Sequence, residues 1–152
     1  MNPFIQDYAT RLAAWKTCRT DVNSALKIDD KINVCLKFWK DAPIQNPLLN
    51  WDNSESWPTA WELLNENNYC TSSHSLGIAF TLVWADVDLF KNMTLDLITD
   101  RTYSVQKIVV NWQNWYLNYG YVDKIAKNTL QNVHTHERWQ WAQKKWITFQ
   151  PK

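Results

Sequence analysis

A chain of 152 residues is long enough to bury one substantial core and too short to make a second domain the expectation. Sixteen Lys and Arg against fifteen Asp and Glu leave a net charge of +1, which removes any electrostatic argument for a nucleic-acid or anionic-membrane partner. The outliers are eleven Trp and only two Gly: many large core pieces whose indole N–H groups need acceptors, and no glycine-rich loop for phosphate.

Three cysteines, Cys18, Cys35 and Cys70, are odd in number and unevenly spaced, so a disulfide framework is not expected and a reducing compartment is. The Asn92-Met93-Thr94 sequon is then unused. The opening MNPFIQDYATRLAAW is polar through its first turns and is not read as a secretory leader. The longest apolar run, Leu76 to Ala85, falls well short of the ~18 residues of a membrane span. Neither a membrane nor a nucleic acid is therefore an expected partner, and the whole of 1–152 reads as one domain.

In chain order, Asn2-Pro3 is a helix start, with Asn as cap and Pro in the first turn. Ile5, Tyr8, Leu12 and Trp15 share a face, with Ala9 beside them, and predict a helix from Pro3 to about Thr20. A second helix is expected from Asp29 to Asp41, striped by Ile32, Cys35, Leu36 and Trp39 and ended by Ala42-Pro43. The two form an antiparallel hairpin over one side of the core. Pro43 to Ser56 reads as a polar loop anchored by Leu48, Leu49 and Trp51. A short helix runs from Pro58 to Asn65, with Trp61 and Leu64 facing inward, and Glu66-Asn67-Asn68 breaks it.

The stretch from Trp57 to Trp84 organises the rest. Its second helix, Cys70 to Ala85, carries Leu76, Ala79, Phe80, Val83 and Trp84 over so much of its circumference that it is expected to be the buried central helix. Past it the period changes. Met93 to Ile98 alternates as a half-buried strand. Val105–Trp112 and Trp115–Tyr119, separated only by Gln113-Asn114, read as a β-hairpin. Tyr121 to Leu130 is expected to hold a short helix. Arg138 to Trp146, with Trp139, Trp141 and Trp146, reads as a last strand or a helix, and its Gln and Lys content favours the helix. The fold class is α+β: a helical hairpin and a cysteine-headed central helix packed on a small antiparallel sheet.

Cys70 carries the one chemical reading. A thiol at a helix N-terminus meets unpaired amide N–H groups and the positive end of the dipole, both of which favour thiolate. The plain alternative is a small buried residue. His74, one turn on, shares its helix face and is a candidate binding residue. Cys70 and His74 with His134 and His136 contain enough ligand types for a metal, but no second closely spaced pair completes the set, and neither a metal nor a cofactor is expected. His134-Thr135-His136 alternates as a strand would, with both imidazoles on one side. Asp86 and Asp88 read as solvated turn residues.

The order of helix, cysteine-headed central helix, strand, strand, tight turn and strand over Trp57 to Tyr119 resembles the core of the transglutaminase-like, papain-like cysteine fold. In that family the thiol heads the helix, a histidine opens the next hairpin strand, and Asp or Asn follows on the partner strand. The resemblance makes Cys70 the nucleophile and brings Asn118 near the third position. It puts the histidine near Val105 to Lys107, where there is none, so the usual proton shuttle is not available: either activity is lost, or His74, His134 or His136 substitutes, or the resemblance is architectural alone. The segment WPTAWELLNENNYC and a strand ending YLNY are also similar to small proteins of tailed phages of marine bacteria, which implies action in the host bacterial cytoplasm or the virion.

The function expected first is a non-enzymatic phage accessory or structural module that binds another protein, of the phage or its bacterial host. A cysteine-dependent hydrolase or amide transferase using Cys70, with Asn118, is the second. A small-ligand or peptide binder with a groove lined by Trp57 and Trp61 is the third.

Overall fold

The computed structural model describes residues 2–44 and 49–148. Five helices and a six-stranded antiparallel sheet make an α+β fold. The helices are α1 (Tyr8–Ser24), α2 (Ile28–Lys40), α3 (Ala60–Glu66), α4 (Thr71–Ala85) and α5 (Val87–Phe90). The strands are β1 (Thr94–Asp100), β2 (Val105–Trp112), β3 (Trp115–Leu117), β4 (Lys124–Ala126), β5 (Val133–Ala142) and β6 (Lys145–Thr148), in the order β4-β3-β2-β1-β5-β6.

The first helix begins later than its Asn-Pro signal. Asn2 caps only a 3-10 turn, Pro3–Ile5, through a bond from Phe4 N of 2.8 Å. Asp7 then caps α1, its carboxylate accepting from Thr10 N at 2.9 Å. Ile5 is therefore 76% exposed rather than part of the apolar face, which Trp15, Cys18 and Val22 supply. The buried Lys31 of α2 donates to Val22 O and Asn23 O at 2.9 and 2.8 Å, satisfying carbonyls at the end of α1. The expected stripe of α2 is buried throughout. Leu49 and Trp51 pack on the core as anchors; Leu48 lies outside the described residues.

A capping box between Thr59 and Glu62 starts α3, and Asn67, at φ 53°, ends it in the left-handed region. Buried Arg11 donates to Leu64 O and Asn65 O at 2.6 and 3.1 Å, fixing this helix end to α1. Leu63 and Leu64 face inward. Trp61 does not: it is 40% exposed, edge-on to Trp15 and Trp84 with centroids 5.6 and 5.3 Å apart.

Every residue of α4 from Ser72 to Val83 is buried. Packing of α1 and α2 on one side and the sheet on the other leaves this helix no wet face. Trp84, at its end, is 41% exposed, contrary to its expected place in the core. Gly77 permits the closest approach: a Cβ there would lie 2.5 Å from the Trp39 ring. Asp86 is not a free turn residue. It caps the one-turn α5 through Leu89 N.

The β2–β3 hairpin forms where expected, paired Trp112↔Trp115 and Val110↔Leu117, but its second strand stops at Leu117, two residues short of the expected Tyr119, because Asn118 turns away at φ 63°. β1 departs from its half-buried reading, because β2 and β5 flank it and both its faces are covered. Leu95 and Leu97 join the helix-side core. Asp96 faces the opposite way and is fully buried, accepting from Thr94 Oγ1, Asn111 Nδ2 and Arg138 Nε at 2.7, 2.9 and 3.1 Å.

Two expected helices are strands. Tyr121 to Leu130 forms a turn, the short β4 and a 3-10 turn, and Arg138 to Trp146 belongs to the β5–β6 hairpin. Trp139 and Trp146 are buried in the main core, and the pairing of β5 with β1 overrides the helix preference of Gln and Lys.

Candidate functional site

Cys70 is the N-cap of α4, with φ −95° and ψ 176°, and its side chain caps none of the helix amides. The first turn that follows is welded to β2. Ser72 Oγ accepts from Ile108 N at 3.1 Å and Ser75 Oγ donates to Ile108 O at 2.7 Å. β3 pairs with β2 only as far as Val110, so these serines supply bonds that a longer strand would have made. A helix start rich in Ser and Thr thus sets the cysteine against the sheet.

The thiol is 4% exposed. Its Sγ lies 3.2 Å from Ser73 Oγ and accepts from Leu49 N at 3.4 Å. Asn118 follows β3 at φ 63°. Its Nδ2 donates to Thr71 O and Ser75 Oγ, both at 2.8 Å, and its Oδ1 accepts from Val122 N at 2.8 Å. Its amide is thus engaged with the backbone and serine of α4 and with its own loop. That loop holds Val122 at φ 47°, a costly conformation for a β-branched residue.

Val105 to Lys107, the stretch of β2 where the resemblance puts a histidine, ends in a lysine. Lys107 is 5% exposed, and its Nζ donates to Gly120 O at 3.0 Å. Burial pulls its pKa down to about 8, against the opposing pull of the Asp123 carboxylate and the Cys70 sulfur. Sequence reasoning found this place as a missing histidine and passed over the lysine in it. The signal available was a lone Lys within the apolar run Val105–Trp112.

None of the three imidazoles is hydrogen-bonded to Cys70. His74 is fully buried, and neither ring nitrogen has a hydrogen-bond partner among the described residues. Its ring lies between Tyr69 and Tyr121, at centroid distances of 5.8 and 6.0 Å. Burial lowers its pKa to about 4; the nearby carbonyls of Pro43 and Ala42 pull the other way without reaching good hydrogen-bond geometry. His134 and His136 are exposed on β5, which β1 separates from β2. Their rings stack edge-on 4.6 Å apart, on one side as the alternation predicts, and His136 Nε2 lies 2.6 Å from Thr99 Oγ1. Among the described residues no group of three or more His, Cys, Asp and Glu is arranged to hold a metal.

All three cysteines are free and buried. Burial pushes the Cys18 thiol up to about 12 and raises Cys35 well above its ordinary value, as fits packing residues.

Trp61 does not line the cleft that Trp57 borders. Trp57 is 7% exposed, donates Nε1–H to Asn50 O at 2.6 Å and packs on Trp139 at 4.8 Å. It lines a cleft of about 260 Å³ together with Phe80, Trp141 and Trp146, from which Trp61 is absent. From the sequence, Trp141 and Trp146 belonged to a segment read as strand or helix with the helix favoured, and not to the groove.

No family model and no curated protein matches the chain. Solved structures do. Legionella pneumophila LapG superposes with a TM-score of 0.66 at 11% identity, over 88% of this chain and 74% of that one. Its calcium-bound form gives 0.69 at 11% identity, over 88% and 76%. Its EGTA-treated form gives 0.66 at 11%, over 88% and 74%. LapG has the transglutaminase-like fold, so the architecture read from Trp57 to Tyr119 is that of this chain.

Proposed function

We propose that this chain is a non-catalytic protein-binding module on a transglutaminase-like scaffold, a phage accessory or structural protein that engages a phage or host protein. The observation that carries the reading is that no imidazole bonds to Cys70, while Lys107, in the stretch where the resemblance expects a histidine, donates to Gly120 O. An acyl-transfer cycle in this fold needs a base that takes the thiol proton and returns it to the leaving group. The architecture is kept and the shuttle is not.

A second reading draws on the same lysine. Burial brings Lys107 to about 8, within the range of tuned catalytic lysines, and it feels the charge of Cys70. Thiolate attack on a carbonyl with Lys107 as proton acceptor would make the chain a cysteine-dependent hydrolase or amide transferase.

Native-state alkylation with iodoacetamide from pH 6 to 10 separates the two. The binding-module reading expects all three thiols to react slowly, each at least a hundredfold slower than in urea. Fast, stoichiometric labelling of Cys70 alone, with an inflection near pH 8 that Lys107→Met abolishes, would replace it with the enzyme reading.

A further inference from the structure

Phe80, three turns along α4 from Cys70, meets the β5–β6 hairpin. Its ring lies 5.5 Å from Trp141 and 6.0 Å from Trp146, which are themselves 5.2 Å apart. Trp57 completes an aromatic lining, and Lys144 and Lys145 stand at the cleft with Glu55 as the only acid in its lining. We propose that this cleft docks an acidic segment of a partner protein, one apolar side chain entering among Trp57, Phe80, Trp141 and Trp146 while its flanking carboxylates meet Lys144 and Lys145. The proposal rests on the binding-module reading and names its surface and the chemistry of its partner.

Four observations converge on it. The cleft holds about 260 Å³, below the ~300–1,000 Å³ of small-molecule pockets and suited to an anchoring side chain. Trp146 is 6% exposed and its Nε1–H has no acceptor among the described residues. Such a buried, unpaired donor costs free energy, and a shift of the ring on docking that gave it a partner's carbonyl or carboxylate would recover it. The hairpin turn is strained: Gln143 and Lys144 sit at φ 54° and 64°, where Gly, Asn or Asp would be at ease. That strain keeps two lysines side by side at the cleft, and neither forms an ion pair among the described residues.

Charge chooses the partner's sign. Lys144 and Lys145 against Glu55 leave the lining at one net positive charge. Asp86 and Asp88 lie in a neighbouring hollow on the far side of Trp141, which Lys144 also borders. They would repel an acidic segment that overran the cleft, which fixes its register. On the edge strand β6, Trp146 O accepts from Ser54 Oγ at 3.5 Å and is the less open to an added strand. The proposed recognition is by side chains.

The test follows the indole N–H signals of the ¹⁵N-labelled full chain in two-dimensional NMR. The probes are five capped peptides, Asp-Glu-X-Asp-Glu with X as Ala, Leu, Phe, Tyr or Trp, their Lys-Lys-X-Lys-Lys counterparts, and a dT8 oligonucleotide. At least one apolar-centred acidic peptide is expected to shift the Trp57, Trp141 and Trp146 signals saturably, leaving Trp15 and Trp39 unmoved. The Ala-centred peptide and the basic series should bind at least tenfold more weakly. Lys144→Glu with Lys145→Glu, which changes one exposed turn residue and the exposed first residue of β6, should weaken binding at least tenfold and keep the remaining spectrum.

Three results overturn the proposal: no cleft signal moving with any acidic peptide at 5 mM, basic peptides binding as well, or dT8 shifting the cleft more strongly than any peptide. The outcome is independent of Cys70 labelling. Fast labelling beside an intact peptide response would sink the non-catalytic reading alone, and slow labelling with no response would sink the cleft alone.

Discussion

At the scale of single residues, one hydroxyl holds the helical layer together. Thr81 Oγ1 accepts from Trp15 Nε1 at 2.9 Å and Trp39 Nε1 at 2.8 Å, and donates to Gly77 O at 2.7 Å. Thr81→Val keeps the shape and strands two buried indole donors, at about 1–3 kcal/mol each. Urea melts should show a loss of about 2–5 kcal/mol, whereas Thr81→Ser, which keeps the hydroxyl, should lose about 1 kcal/mol. Equal losses would mean that packing, and not the shared acceptor, is what Thr81 provides. His74 predicts a pH effect. Its pKa is about 4 in the folded chain and near 6.5 when unfolded, so between those values the unfolded state binds more protons. Its contribution is fully present above pH 6.5 and is lost as pH falls to 4, by about 3 kcal/mol at ~1.4 kcal/mol per unit. His74→Phe should flatten the slope of stability against pH over that window; parallel profiles for variant and parent would refute the assignment.

At the scale of elements, what the sequence made legible follows from where the deciding forces act. The stripe Ile32, Cys35, Leu36, Trp39 and the all-round apolar α4 were readable because burial writes itself into local period. The β2–β3 hairpin was readable because both strands and their two-residue link are contiguous. Arg138 to Trp146 was misread because β5 is held by pairing with β1, some forty residues earlier in the chain, which no local window contains, and β6 pairs in turn on β5. The site divided the same way. Cys70 was found from its helix start, while Lys107, the Thr81 junction and the Trp57–Trp146 cleft depend on contacts between distant segments. The central helix gives the prediction proper to this scale. Phe80 is 4% exposed, and Phe80→Ala should lose about 3–5 kcal/mol in a denaturant melt. A change within half a kcal/mol would show that the Phe80–Trp141–Trp146 cluster contributes no packing energy.

For the whole molecule, the sheet is asymmetric in what covers it. Against one face lie α4 and the main core. The other carries a small cluster of Ile98, Val109, Tyr116 and Tyr119, closed by Ile125 of β4, Leu130 and Val133 of β5. There the buried polar groups Asp96 and Asp100 depend on specific partners, Arg138 and Tyr119 among them. Stability should therefore be graded across the fold. Amides at the centre of β1, paired on both sides, and in α4, buried all round, have no route to exchange short of global unfolding. β4 is a three-residue edge strand with half-exposed side chains and one neighbour, so opening it breaks few bonds and leaves the α4 core untouched. Native-state hydrogen exchange should place Leu95, Leu97 and Ile78 in the slowest class, with opening free energies equal to that from a urea melt, and Ile125 at least a hundredfold faster, about 3 kcal/mol lower on the scale of 1.4 kcal/mol per tenfold. The Cys70 end of α4 belongs with the slow class, since Ser72 and Ser75 bind it to Ile108 of β2. If the amides of Ser73 and His74 exchanged with β4 instead, the thiol would sit on a hinged segment rather than a rigid one, and the slow alkylation expected of Cys70 would fail with it.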